Sequence, residues 1–191
     1  VPRTPLALKH WQRDEFERLV RLGAFEGEPV ELIGGQLIVA EPRYPNHASG
    51  ISVGEYALRA VLPPGWIVRT QAPVALDDES EPEPDLAVVP GRPADYRASH
   101  PTRPVLIVEV AESSLRFDRE RKGSLYARAG IQDYWIVNLV DRALEVYRDP
   151  QPDPAAEYGW RYGSVATWTP GAMVAPLAFA SSRVAVAELL P

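Results

Sequence analysis

The chain has 191 residues, 46% of them hydrophobic and 24% charged, a size and mixture that suit one globular domain (1–191) with a substantial core. Its formal net charge of −6 argues against a basic coat that grips nucleic acid by counterion release, and the lack of cysteine excludes disulfides and thiolate metal sites. No apolar run approaches a membrane span, and Val1-Pro2-Arg3-Thr4-Pro5 lacks the apolar core of a signal peptide, so no membrane association and a cytoplasmic setting are expected.

Residues 12–22 place Phe16, Leu19, Val20 and Leu22 near helical spacing ahead of Gly23, which predicts a short amphipathic helix. Residues 30–40 read as a hairpin, because two β-prone runs flank Gly34-Gly35 and glycine supplies the positive φ of a tight turn. On pattern alone Glu31, on the first arm, reads as an exposed strand residue. A helix is predicted over 46–62, with Asn46 as its cap and Pro63-Pro64-Gly65 as its end. His47 falls in its first turn, where a lone histidine reads as a solvent-facing or capping group.

Residues 66–70 and 73–76 read as strands. Six of the nine residues from 77 to 85 are acidic and none is basic, which by itself describes a solvated loop. Residues 84–89 and 105–110 are short apolar runs, each with a carboxylate at one edge, Asp85 and Glu109. Both read as buried strands, being too short for typical helices. Between them lies a Pro-rich surface loop. Ser113-Ser114 offers a cap for a helix over 115–129 ending at Gly130, followed by a strand over 131–139 and another over 142–147. Residues 151–159 read as loop, 160–168 as an edge strand with Trp160, Tyr162 and Trp168 exposed, and 184–190 as a short closing helix.

If the strands carrying Asp85 and Glu109 are neighbours, two carboxylates share one space and repel, so the site wants a cation. A hard divalent metal held by oxygen is the usual answer, which points to a metal-dependent hydrolase.

The order helix, strand, strand, strand, helix, strand, with Pro84-Asp85 on one strand and Glu109-Val110-Ala111 ending the next, resembles the PD-(D/E)XK nuclease core. More narrowly the chain resembles the Uma2 family of restriction endonuclease-like proteins. The matching pieces are Glu31-Leu32-Ile33-Gly34-Gly35-Gln36, His47, Pro82-Glu83-Pro84-Asp85-Leu86, Val108-Glu109-Val110, the run 118–122 and the run 126–137. The last run is the most specific of them. The resemblance implies an α/β (α+β) fold: a mixed central sheet flanked by helices, with an N-terminal helix and hairpin. Its nuclease-like core would span about 30–140, with C-terminal strands and a short helix over 141–191.

The lysine that the superfamily pattern expects two residues after Glu109 is Ala111 here; the family pattern moves it to the next helix, where Lys122 stands. It is one of only two lysines in the chain, and an amine can do what a guanidinium cannot. The plainer reading is a surface pair between Asp118 and Lys122, four residues apart. Asn138, where the family often has Asp, reads as a peripheral departure.

The resemblance implies phosphodiester hydrolysis in DNA by an endonuclease, with Asp85, Glu109 and the Val110 carbonyl holding Mg2+ or Mn2+ and Lys122 orienting water or neutralising charge. Glu31 and His47 stand second as an extra ligand or positioning group. The alternative is an inactive relative that binds nucleic acid or protein through the same scaffold. Cutting both strands would need two sites, so a homodimer or higher homo-oligomer would fit.

Overall fold

The computed structural model describes residues 7–39 and 44–191. The N-terminal stretch Val1-Pro2-Arg3-Thr4-Pro5 and Ala40, the last residue of the expected hairpin, lie outside the described residues. The chain begins with helix α1 (Arg13–Arg21), closed at Gly23 with φ +76°, and burying Phe16 alone among its residues. Strands β1 (Val30–Ile33) and β2 (Gln36–Val39) form the expected hairpin, with Gly34 and Gly35 both at positive φ. That pair of conformations matches the twist of the two arms.

Helix α2 (Pro45–Val61) starts one residue earlier than the sequence suggests. Proline fits the first helical position because its missing N–H has no intrahelical partner there. Asn46 therefore sits inside the helix, and its amide donates to Glu112 Oε1 at 3.2 Å instead of capping. Leu62 is extended ahead of Pro63, which ends the helix.

Six strands form the central sheet in the order β3-β4-β5-β6-β7-β8: β3 (Trp66–Thr70), β4 (Leu86–Pro90), β5 (Leu106–Ala111), β6 (Asp133–Asn138), β7 (Ala143–Pro152) and β8 (Trp160–Trp168). All pairs are antiparallel except β5 with β6, whose parallel pairing requires a helical crossover. That crossover is the helix expected over 115–129, helical without a break from 115 to 128 but not regular α-helix throughout. It consists of a turn α3 (Leu115–Phe117), a π-helical stretch Asp118–Lys122, and α4 (Gly123–Arg128).

Two further expectations are corrected. Residues 73–76 form no strand; their amides find the carbonyls of Pro82, Pro101 and Ser80 instead of a sheet edge. The short closing helix expected over 184–190 is a 3-10 helix confined to Val186–Leu189, because Val184–Ala185 form a short strand β10 paired with β9 (Met173–Val174).

Alternation along the strands divides the core. Leu86, Val88, Leu106, Val108, Val110 and Trp135 face α2 and the C-terminal turn. Ile107, Ala111, Tyr134, Ile136, Tyr147 and Tyr162 face α4. Glu109 lies between Ile107 and Ala111 in sequence, so the period of two puts its side chain on the α4 face. Tyr162 is thus buried, whereas Trp168 stays exposed as expected. Among the described residues no helix is long and apolar enough to cross a membrane.

Candidate active site

The register Leu86↔Val108 between β4 and β5, carried one residue further, sets Asp85 opposite Glu109. The two are coupled through the backbone. The Asp85 amide donates to Glu109 Oε2 at 3.3 Å, and the Val110 amide donates to Asp85 Oδ2 at 2.8 Å. Each carboxylate is therefore pinned by the strand that carries the other.

Lys122 arrives from the crossover. Its ammonium donates to Glu109 Oε1 at 3.0 Å and lies 3.4 Å from Glu31 Oε2. The π-helical stretch delivers it: the Gly123 amide bonds back five residues to the Asp118 carbonyl, and the Tyr134 hydroxyl donates to the same oxygen at 3.1 Å. Such π insertions widen a helical turn and recur at functional sites. Gly123 permits it, because a Cβ there would meet the Asp118 carbonyl oxygen at 3.3 Å.

Glu31 is buried, not exposed. Its strand faces the pocket, and Oε2 accepts the Glu83 amide at 3.2 Å. His47 reaches the site from the first turn of α2, with Nε2 3.2 Å from Asp85 Oδ2. Of the six residues singled out from the sequence, Glu31, His47, Asp85, Glu109 and Lys122 line one cavity of about 240 Å³, together with Asp118, Glu83, Glu112, Tyr44 and Phe117, whereas Val110 is not among the lining residues.

Asp118 and Tyr126 escaped the sequence reading. The spacing of Asp118 and Lys122 suggested a surface pair, yet both are buried. Asp118 accepts a hydrogen bond from the Ser114 hydroxyl at 2.6 Å. Tyr126 donates to Glu109 Oε1 at 2.7 Å from the next turn of helix, four residues after Lys122. That four-residue spacing was the available signal.

The electrostatics follow from burial. Desolvation pushes Glu109 up to about 8 against the pull of Lys122, and the charges of Asp85, Asp118 and Glu31 add to the rise. Burial likewise lifts Asp118 to about 6, against Lys122 and the Ser114 hydrogen bond. For Lys122 burial acts downward, but Glu109, Glu31, Asp118 and Asp85 together outweigh it and hold the amine well above its ordinary value. Lys122 is therefore held as an ammonium donor. His47 is raised chiefly by its hydrogen bond to Asp85 against burial, with the Asp85 charge and the Val110 carbonyl contributing.

Among the described residues no group of three His, Asp or Glu side chains is spaced to hold a metal ion. The chemistry of the donors nevertheless suits one. Asp85, Glu109 and the Val110 carbonyl offer only hard oxygen, as Mg2+ or Mn2+ prefers. Glu31, Asp85, Glu109 and Asp118 line the cavity with a single ammonium, that of Lys122, so carboxylates outnumber ammonium groups there. Asp85 Oδ2 is engaged by Val110 and His47, while Oδ1 has no hydrogen bond among the described residues.

None of the curated proteins matches this chain. Among solved structures it is similar to a protein described as a "putative nuclease belonging to DUF820" from Anabaena variabilis ATCC 29413. The TM-score is 0.69 at 18% identity, covering 94% of this chain and 97% of the other, which shows a shared fold. The family model described as "Uma2: Putative restriction endonuclease" matches residues 13–169. With most of its length matched in this way, the chain belongs to the Uma2 family.

Proposed function

We propose that the protein is a metal-dependent endonuclease hydrolysing phosphodiester bonds in DNA. The observation that carries this reading is the meeting of Asp85 and Glu109 from neighbouring strands with Lys122 from the crossover helix in one pocket. Asp85, Glu109 and the Val110 carbonyl would hold Mg2+ or Mn2+, which when bound lowers the pKa of water and stabilises phosphate charge.

The chain's own groups supply the rest. Lys122, kept protonated by Glu109 and Glu31, offers a fixed positive donor to the negative charge that grows on the phosphate oxygens. Glu31 and Tyr126 restrain that machinery from two sides, one beside the ammonium and one on Glu109 Oε1. His47 and the Val110 amide fix the rotation of the Asp85 carboxylate.

The test is supercoiled plasmid incubated with purified protein and Mg2+ or Mn2+, beside Asp85→Ala, Glu109→Ala and Lys122→Ala. Metal-dependent nicking that disappears in all three variants supports the reading; nicking that survives in all three removes it. A second reading, a noncatalytic binding protein on the same scaffold, is favoured by one feature. The charged groups of the pocket already partner one another, Lys122 with Glu109 and His47 with Asp85. Plasmid left intact with every divalent metal, but retarded on a gel, would select it.

A further inference from the structure

We infer that the pocket takes its substrate as an unpaired DNA strand, with one base stacked on the apolar wall at its mouth, and not as an intact duplex. The inference rests on the nuclease reading of the same pocket and adds the form of the substrate.

Depth is the first reason. Asp85 and Glu109 are only 8% and 3% exposed, so a scissile phosphate must be carried down to the floor of the cavity. At about 240 Å³ the cavity has room for little more than one sugar-phosphate unit. A duplex is stiff over many base pairs and cannot bend a single phosphate inward without deforming its neighbours. A single strand rotates freely about its backbone and can.

Charge is the second. Among the described residues Lys122 is the only Lys or Arg lining the pocket, whereas Glu83 and Glu112 line it as well. A duplex presents two rails of phosphate and is normally held by basic side chains along both. Among the described residues lining the pocket there is no such track, and a second rail would meet carboxylates there.

The wall is the third. Ile38, Val39, Tyr44 and Phe117 line one part of an otherwise carboxylate-rich cavity, with Val39 60% and Tyr44 57% exposed. An exposed aromatic ring beside a buried phosphate-processing cluster suits the face of an unpaired base. Stacking of that kind tolerates any base and needs no basic groove.

Short labelled DNA of one sequence, as a single strand and as a blunt duplex, tests this by fluorescence anisotropy with Ca2+ and by cleavage with Mn2+. Wild type is compared with Tyr44→Ala and Tyr44→Phe, whose exposed position spares the fold. The single strand binds at least about tenfold more tightly than the duplex, Tyr44→Ala loses about tenfold for the single strand, and Tyr44→Phe retains it. Equal or tighter duplex binding, unchanged single-strand binding in Tyr44→Ala, or no single-strand binding overturns the inference. Duplex cut as fast as single strand, in a manner lost with Asp85→Ala, sinks this inference while the nuclease reading stands. A single strand held through Tyr44 yet never cut with any divalent metal does the reverse.

Discussion

Gly50 of α2 lies so close to Val110 of β5 that a Cβ on it would fall 2.8 Å from Val110 Cγ1. One turn further along, a Cβ on Gly54 would come 3.1 Å from Leu86 Cδ1. At Gly50 and Gly54 the helix backbone therefore rests directly on side chains of the sheet, and this close approach lets His47, three residues before Gly50, reach Asp85. Gly50→Ala should push the helix outward. Alanine recovers about 1 kcal/mol of helix propensity, but the clash costs about 1–3 kcal/mol, so a net loss of about 1 kcal/mol is expected. Urea denaturation measures it, and a histidine NMR titration would show the His47 imidazole returning toward its ordinary value.

Tyr126→Phe removes a phenol from a buried carboxylate. Glu109 Oε1 would keep Lys122 but lose a 2.7 Å hydrogen bond at a buried carboxylate. A destabilisation of about 1–3 kcal/mol is expected, read as a lower urea midpoint with an unchanged slope. An unaltered midpoint would show that Tyr126 merely packs there.

Asn138 is the opposite of peripheral. Fully buried at the end of β6, it donates to Asp141 Oδ2 at 2.9 Å and Glu145 Oε1 at 2.8 Å, and accepts the Asp141 amide. Aspartate has no amide protons to give, so Asn138→Asp would set a third carboxylate against two others. A loss of about 1–3 kcal/mol is expected by thermal or urea denaturation. The charge of Glu145 is balanced by Arg119, which pairs with it through two guanidinium nitrogens, Nε and Nη2.

A pH effect should arise away from the pocket, at Glu81. Burial raises this carboxyl to about 7, with the Glu17 carboxylate of α1 adding to the rise, Arg13 opposing it and Glu83 adding again. Its folded pKa lies above its unfolded value of 4.5, so the folded state holds the extra proton between the two. The contribution is full below about pH 4.5 and is lost as pH rises through about 7. Thermal midpoints measured across that window should fall less steeply in Glu81→Gln than in wild type. Parallel curves would contradict the assignment.

Most of the strands and the carboxylate pair could be read in advance because their signals are local. Alternation and Pro boundaries mark β4 and β5, and a double glycine marks the hairpin. Positions that depend on partners distant in sequence were hidden. Glu31 looked like a surface strand residue because nothing nearby shows that Lys122, far along the chain, returns to cover it. Residues 73–76 have the composition of a strand, but the choice between a sheet edge and the carbonyls of Pro82 and Pro101 is made by the loops around them. The π-helical stretch was invisible for a related reason. Apart from Gly123 the pattern of residues 115–128 reads as ordinary helix, and only the Tyr134 hydroxyl and Gly123, meeting at the Asp118 carbonyl, make the wider turn favourable.

The central claim is that Asp85, Glu109 and the Val110 carbonyl form a seat for a divalent cation beside the Lys122 ammonium. A crystal soaked in Mn2+ and measured for anomalous scattering addresses it without relying on turnover. A peak in contact with both carboxylates, absent from Asp85→Ala crystals treated alike, is the predicted result. Crystals that diffract well with Mn2+ present but show no peak there, or show it only elsewhere on the surface, would contradict the account.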